Sequence, residues 1–395
     1  MLNRRNFLKS GALIGCSAAA HPLLSSIAFA QAPGENRLVV IILRGAMDGL
    51  DVFQPYGDPG LAGLRRSISV GPQQGATDLD GFFALHPALS PLMPLWQAGQ
   101  LAFAPAVSTP YRDKRSHFDG QDILEAGSGT DVDLTRQRDG WLNRLLQHMP
   151  GAGSETAWAV GIEDMRILSG PAATKSWSPQ TRLVLGAQAE ALLSKVYHDD
   201  PLFRQAGSEA MAIAAAEAAG QQDNPEPPGP TREARILARF TAERLNGAAR
   251  IASFSIAGWD SHAGQPRVMR AGLERLGDAI LTLRDQLGPN WDRTTVLAMT
   301  EFGRTVRENG SGGTDHGTGG ALLMAGGALR GGRAYGAWPG LAEADLYAGR
   351  DLMPVRDIRA YAAWAMRDLF DIAPDVLEGA VFPGLDMGQS PRILG

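Results

Sequence analysis

Two short segments hold most of the residues able to do chemistry. In Gly258-Trp259-Asp260-Ser261-His262, an Asp and a His stand two positions apart. That spacing puts both side chains on one face while the chain stays extended. In the second segment, Glu301 and Arg304 follow an apolar β-branched run, and Asp315-His316 sit in a Gly-rich loop. Carboxylates mixed with imidazoles form an O/N donor set suited to Zn, Mn or Fe. A guanidinium beside such a set suits metal-assisted attack on an anionic group, although Arg304 also stands where it would pair with Glu301 itself. Asp48, in Arg44-Gly45-Ala46-Met47-Asp48-Gly49-Leu50, is either the turn residue of an Asp-Gly pair or a further ligand. Ser116 opens a helical pattern as its N-cap or, facing a metal, as a nucleophile favoured by the helix N-terminus. His117, next to it, reads as a ligand or an acid.

These residues need a frame that gathers them. Apolar runs at Arg37 to Leu43, Leu101 to Val107, Ile251 to Ile256, Thr295 to Met299 and Ala321 to Met324 read as strands, with weaker candidates at Thr156 to Val160 and Thr181 to Leu185. Helical patterns fall at Leu89 to Gly99, Ser116 to Ala126, Ala187 to Gly220, Thr231 to Leu245, Pro266 to Gly288 and Arg356 to Phe370. Alternation of the two predicts a single α/β domain, with a central, mostly parallel sheet covered by helices on both faces. The stretch at about 187–250 reads as a helical insertion or cap. In such sheets ligands bind beyond the carboxyl ends of the strands, where Asp48, Asp260 and Glu301 stand. The glycines of 310–320 lack the spacing of a phosphate loop or a dinucleotide fingerprint, so no nucleotide site is read there.

The N-terminus speaks for compartment. Asn3-Arg4-Arg5-Asn6-Phe7-Leu8-Lys9, a small-residue apolar stretch and Ala28-Phe29-Ala30 form a twin-arginine export signal over residues 1–30. Soluble export to the periplasm or beyond is expected, with the twin-arginine translocase as partner. Leu13-Ile14-Gly15-Cys16 also has the form of a lipoprotein box, but cleavage there leaves an apolar region shorter than a signal needs. Removing 30 of 395 residues leaves 365, with 34 basic against 42 acidic side chains, a formal charge of −8. That balance excludes broad nucleic-acid binding, which needs a basic stripe. No other apolar run nears the about 18 residues of a membrane span. The lone Cys16 leaves with the signal, so no disulfide is expected.

Five motifs, in this order, carry a resemblance. They are Arg44 to Leu50, Leu85-His86-Pro87-Ala88-Leu89, Ser116-His117-Phe118-Asp119-Gly120-Gln121, Gly258 to His262 and Thr300-Glu301-Phe302-Gly303-Arg304-Thr305. Over nearly the whole mature chain they resemble the family catalogued as domain of unknown function 1501. Its members look like twin-arginine exported proteins and are similar to the alkaline phosphatase and sulfatase superfamily. The resemblance implies a metal-binding Asp at Asp48, a nucleophile at Ser116, an Asp and His pair at Asp260 and His262, a strand-end carboxylate at Glu301 and a late His at His316. Here Asp-x-His replaces the superfamily's Asp-x-x-x-His, and Glu301-Phe302 replaces its Asp-His dipeptide. One second-site ligand is then missing unless Asp315 or His117 takes its place.

Two functions follow as expectations. One is an exported hydrolase of phosphate or sulfate esters, small or polymeric, using one or two divalent ions, Zn or Mn before Mg or Ca. Ser116 would attack, a metal on Asp48 and Glu301 would activate it, and a second on Asp260, His262 and His316 would hold the ester, with Arg304 neutralising charge. The other is a non-catalytic periplasmic binding or assembly protein that keeps the fold and a structural metal.

Overall fold

The structure is a computed structural model that describes residues 34–68, 70–129, 138–163, 165–179 and 226–395. Its spine is Arg37–Arg44 (β1), buried along almost its whole length. Successive side chains of a strand face opposite ways. Leu38, Val40 and Ile42 therefore enter one core, and Val39, Ile41 and Leu43 enter the other. Each such side chain contributes about 1.5–3 kcal/mol when fully buried. A strand apolar on both faces must be covered on both, which places it in mid-sheet.

The other strands of its sheet are Leu101–Ser108 (β2), Ala157–Val160 (β3), Lys175–Trp177 (β4), Ile251–Ala257 (β5), Thr294–Thr300 (β6), Gly320–Ala325 (β7), Arg333–Ala334 (β8) and Arg356–Asp357 (β9). They lie in the order β8-β2-β7-β6-β1-β5-β3-β4, with β9 also on β2. Among the described strands of this sheet, β7 alone runs against its neighbours, β6 and β2. The remaining pairs are parallel, β1 lying between β5 and β6. The α/β class and the mostly parallel sheet are as expected.

Helices Trp141–His148 and Ile358–Phe370 cover one face, and Arg232–Asn246 and Gln265–Leu287 the other. With His117–Ala126 they are named, in chain order, α1 (117–126), α2 (141–148), α3 (232–246), α4 (265–287) and α5 (358–370). Expected and observed bounds agree within about two residues for most elements, the usual latitude at element ends. One helix is broken. Instead of a single helix over 89–99 there is a 3-10 turn, Pro87–Leu92, followed by Met93–Gln97. Pro91 and Pro94 lack the N–H that a continuous α-helix needs. Within the expected insertion, α3 packs on the sheet: Ala234, Leu237, Ala238 and Leu245 enter the same core as α4. Residues 187–225 of that stretch, the strand candidate over 181–185 and the export signal lie outside the described residues.

Candidate metal centre

Three strands deliver residues to one edge. After β1, Gly45 turns at φ 118°, and a Cβ there would stand 2.7 Å from the Asp260 backbone nitrogen. Only glycine permits that approach of the β1 and β5 ends. After β5 come Asp260 and His262, and after β6 comes Glu301. Because β7 is antiparallel, the chain just before it, with Asp315 and His316, arrives at the same edge. β2 leads into α1, which starts at His117 behind the N-cap Ser116.

Each histidine is held by its Nδ1. His117 Nδ1 lies 2.8 Å from Glu301 Oε1, His262 Nδ1 3.0 Å from Asp315 Oδ1, and His316 Nδ1 2.8 Å from the Arg115 carbonyl oxygen. All three partners are acceptors, so each Nδ1 carries a proton, and a ring that is neutral leaves its Nε2 bare. Arg115 reaches its position in the left-handed region, φ 54°, which is uncommon for a non-glycine residue.

The Nε2 atoms converge on Asp260. Its carboxylate lies 3.5 Å from His117 Nε2, 3.3 Å from His262 Nε2 and 3.5 Å from His316 Nε2. His262 and His316 face each other Nε2 to Nε2 at 3.0 Å. At that distance one nitrogen carries a proton or a cation lies with both. His117 Nε2 is buried and has no hydrogen-bond partner, although buried polar atoms are almost always satisfied. Donor atoms of His117, Asp260 and His316 all fall within 4.8 Å of one another. In a tetrahedral site with bonds of about 2.0–2.1 Å, ligand atoms stand about 3.3 Å apart. The observed spacings bracket that edge, so these residues fit a divalent ion, with His262 beside the three.

Charges around the cluster suit that role. Burial raises the Asp260 carboxyl, but the Arg304 hydrogen bond at 2.5 Å and charge, with His262 and His117, hold it below the usual carboxylate range. Burial also raises Glu301, and hydrogen bonds from His117, Gln121 and the Gly45 amide more than offset it. The Glu301 hydrogen bond raises His117 above the usual histidine value against burial. Burial lowers His316 despite the Arg115 carbonyl, which favours the neutral ring that a metal requires. Asn309 and His262 hold Asp315 down.

Several expected ligands have other partners in this structure. Asp48 is buried in an ion pair with Arg65, at 2.6 and 3.0 Å, and also accepts from Gln265 at 2.7 Å. Glu301 Oε1 accepts from the Gly45 and Ala46 amides, His117 and Gln121, and Oε2 accepts from the Thr300 hydroxyl. The Arg65 and Gln265 contacts of Asp48, and the amide, His117 and Gln121 contacts of Glu301 Oε1, engage these carboxylates separately. Asp315 supports His262 and does not join the cluster. Arg304 is buried, with its donors taken by the carbonyls of Gly45, Ala46, Trp259 and Thr314 and by Asp260. It pairs with Asp260, not Glu301, and cannot clamp a substrate. Ser116 Oγ accepts from the Asp119 amide at 3.4 Å, an N-cap contact. Sequence reading missed Gln121, Gln265 and Thr314, because neutral amides and hydroxyls carry no spacing signal, and Arg65, which stands outside every motif.

The family described as "Protein of unknown function (DUF1501)" matches residues 35–363. The chain belongs to that family. No curated protein matches its sequence. Solved structures similar to it are distant. The lipoteichoic acid synthase LtaP from Listeria monocytogenes is 9% identical with a TM-score of 0.36, over 71% of this chain and 59% of its own. A protein in the alkaline phosphatase superfamily from Vibrio parahaemolyticus is 12% identical with a TM-score of 0.39, over 85% and 67%. The PsFucS1 sulfatase from Pseudoalteromonas sp. is 13% identical with a TM-score of 0.40, over 93% and 73%. This chain therefore spans less than two thirds of the length of the first of these.

Proposed function

We propose that this protein is an exported, metal-dependent hydrolase of phosphate or sulfate esters. One observation supports it above the rest: three imidazoles, each fixed through Nδ1, aim bare Nε2 atoms at one carboxylate, and the His117 Nε2 is buried without a partner. A divalent ion bound by His117, Asp260 and His316, with His262 adjacent, would supply Lewis acidity toward a developing anionic oxygen. Zn or Mn suits this nitrogen-rich set better than Mg or Ca.

The chain's own residues do the rest. Glu301 and Asp315 fix two rings and raise their basicity, as carboxylates behind metal-bound histidines do. Arg304 holds the Asp260 carboxylate at the cluster. Ser116 sits at the N-terminus of α1, where the helix dipole favours an alkoxide or a bound anion. Its capping contact is long, so it stands as the candidate nucleophile. In the same proposal the leader takes the folded protein through the twin-arginine translocase to the periplasm. Among the described residues, no helix is long and apolar enough to cross a membrane.

A second reading rests on the capping role of Ser116: a binding or assembly protein with a structural metal. The two separate on one pair of measurements, metal content by plasma mass spectrometry and turnover of an aryl phosphate and aryl sulfate panel. Metal with turnover that Ser116→Ala abolishes supports the hydrolase. Stoichiometric metal without turnover supports the binding protein, and absence of metal after reconstitution with Zn, Mn, Mg and Ca ends both metal readings.

A further inference from the structure

The two loops that supply the cluster, 258–264 after β5 and 309–318 before β7, hang from a single buried amide. Gln265 is the first residue of α4 and has no exposed surface. Its Nε2 donates to Asp48 Oδ2 at 2.7 Å and to Asp51 Oδ2 at 3.0 Å. Its Oε1 accepts from the Ser261 hydroxyl at 3.1 Å and the Thr314 hydroxyl at 2.6 Å. A side-chain amide has two donor hydrogens and two acceptor lone pairs. All four are used. The orientation is fixed by chemistry, since an amide oxygen turned toward two carboxylates would face acceptors only.

The four partners are not random neighbours. Ser261 lies between Asp260 and His262, and Thr314 immediately precedes Asp315 and His316. Main-chain bonds join the same pieces: the Thr314 amide donates to the Ser261 carbonyl at 3.1 Å, and the Gln265 amide to the Gly312 carbonyl at 2.9 Å. On the far side, Asp48 is locked by Arg65, whose guanidinium also donates to the carbonyls of Thr305 and Val306. The amide thus bridges a rigid buried ion pair to both ligand-bearing loops at once.

We propose that Gln265 is the positioning residue that sets the spacing between Asp260/His262 and His316, and thereby the affinity of the centre for its ion. It touches no cluster atom and acts through Ser261 and Thr314. The affinity part rests on the metal reading above; the mechanical coupling of the two loops does not.

The test uses the mature protein and Gln265→Met, which keeps length and volume but removes all four bonds. Thr314→Val, a milder isostere, removes only the bond to Gln265 Oε1 and the weak 3.4 Å contact with Asp48. Asn143→Ala serves as a control, a buried amide within α2 bonded to the Leu168 and Ala172 carbonyls, far from both loops in the chain. Hydrogen exchange by mass spectrometry is read on metal-free protein, and zinc affinity by competition with a chromogenic chelator. In Gln265→Met, exchange should rise in 258–264 and 309–318 together, and zinc affinity should fall about 10–100-fold, the usual size of a supporting-residue effect. Thr314→Val should show the same pair of loops responding more weakly, which keeps the test decisive if Gln265→Met does not fold. Exchange that rises in one loop only, or no more than in Asn143→Ala, overturns the proposal. If wild type binds no zinc, the hydrolase reading fails, while the exchange result still decides the coupling.

Discussion

Two polar clusters lie at the same sheet edge, built from similar residue types, and they behave as opposites. One is His117, Asp260, His262 and His316. The other is Asp48, Asp51, Arg65 and Gln265, wholly buried. In the buried cluster every strong donor meets an acceptor, and a guanidinium neutralises one of the two carboxylates. In the open cluster, the supporting bonds are complete but Nε2 lone pairs are left facing each other and one carboxylate. Saturation, not residue type, separates a structural cluster from a site that needs a cation. It is also why Asp48, a ligand by sequence, is structural.

Breaking the open cluster should have the largest effect on function. Asp260→Ala should abolish stoichiometric metal and reduce any ester turnover to below about 1% with the fold intact, since it removes the oxygen on which the rings converge. Full metal content in that variant, read by plasma mass spectrometry, would place the ion elsewhere.

Breaking the buried cluster should instead cost stability. Arg65→Ala leaves Asp48 buried and unpaired, and such a loss costs about 3–5 kcal/mol. Chemical denaturation checks it; a loss under about 1 kcal/mol would mean that the pair is not desolvated as the structure has it.

Glu301→Gln lies on the boundary between the two. It removes the charge behind His117 while keeping the shape, so metal affinity should fall about 10–100-fold. An unchanged affinity would show that Glu301 serves the turn at Gly45 and Ala46 only.

The smallest effect is a pH dependence. Burial, and then the neighbouring Asp48, raise Asp51 to about 6. A carboxyl raised on folding contributes stability that is complete below its unfolded value, about 3.9, and is lost as pH climbs through about 6. Asp51→Asn should therefore gain stability relative to wild type between pH 4 and pH 7, followed by thermal melts across that range. A gap that stays constant with pH would show that Asp51 titrates in the folded protein as it does in the unfolded chain.

The sheet was legible because β1, β5 and β6 are apolar on both faces, and such runs have no stable place except between two helical layers. The edge carrying the site was legible for the same reason, since a parallel sheet sends its strand ends one way. His316 was legible as a late histidine, but its arrival depends on β7 running antiparallel, which nothing in Ala321 to Met324 announces.

Sequence by itself determined the strands, the family motifs and the donor types: Asp260, His262, His316 and His117 stand at strand or helix ends because their neighbours are apolar runs and caps. Tertiary structure decided their roles. Whether Glu301 binds an ion or orients His117, whether Asp48 is open or locked by Arg65, and whether Arg304 meets substrate or Asp260 depend on hydrogen bonds between separate elements, spanning 184, 17 and 44 residues respectively. Such partners are fixed only when the sheet closes, because a donor's valence is filled by whatever packing brings within 3 Å and not by its neighbours in the chain.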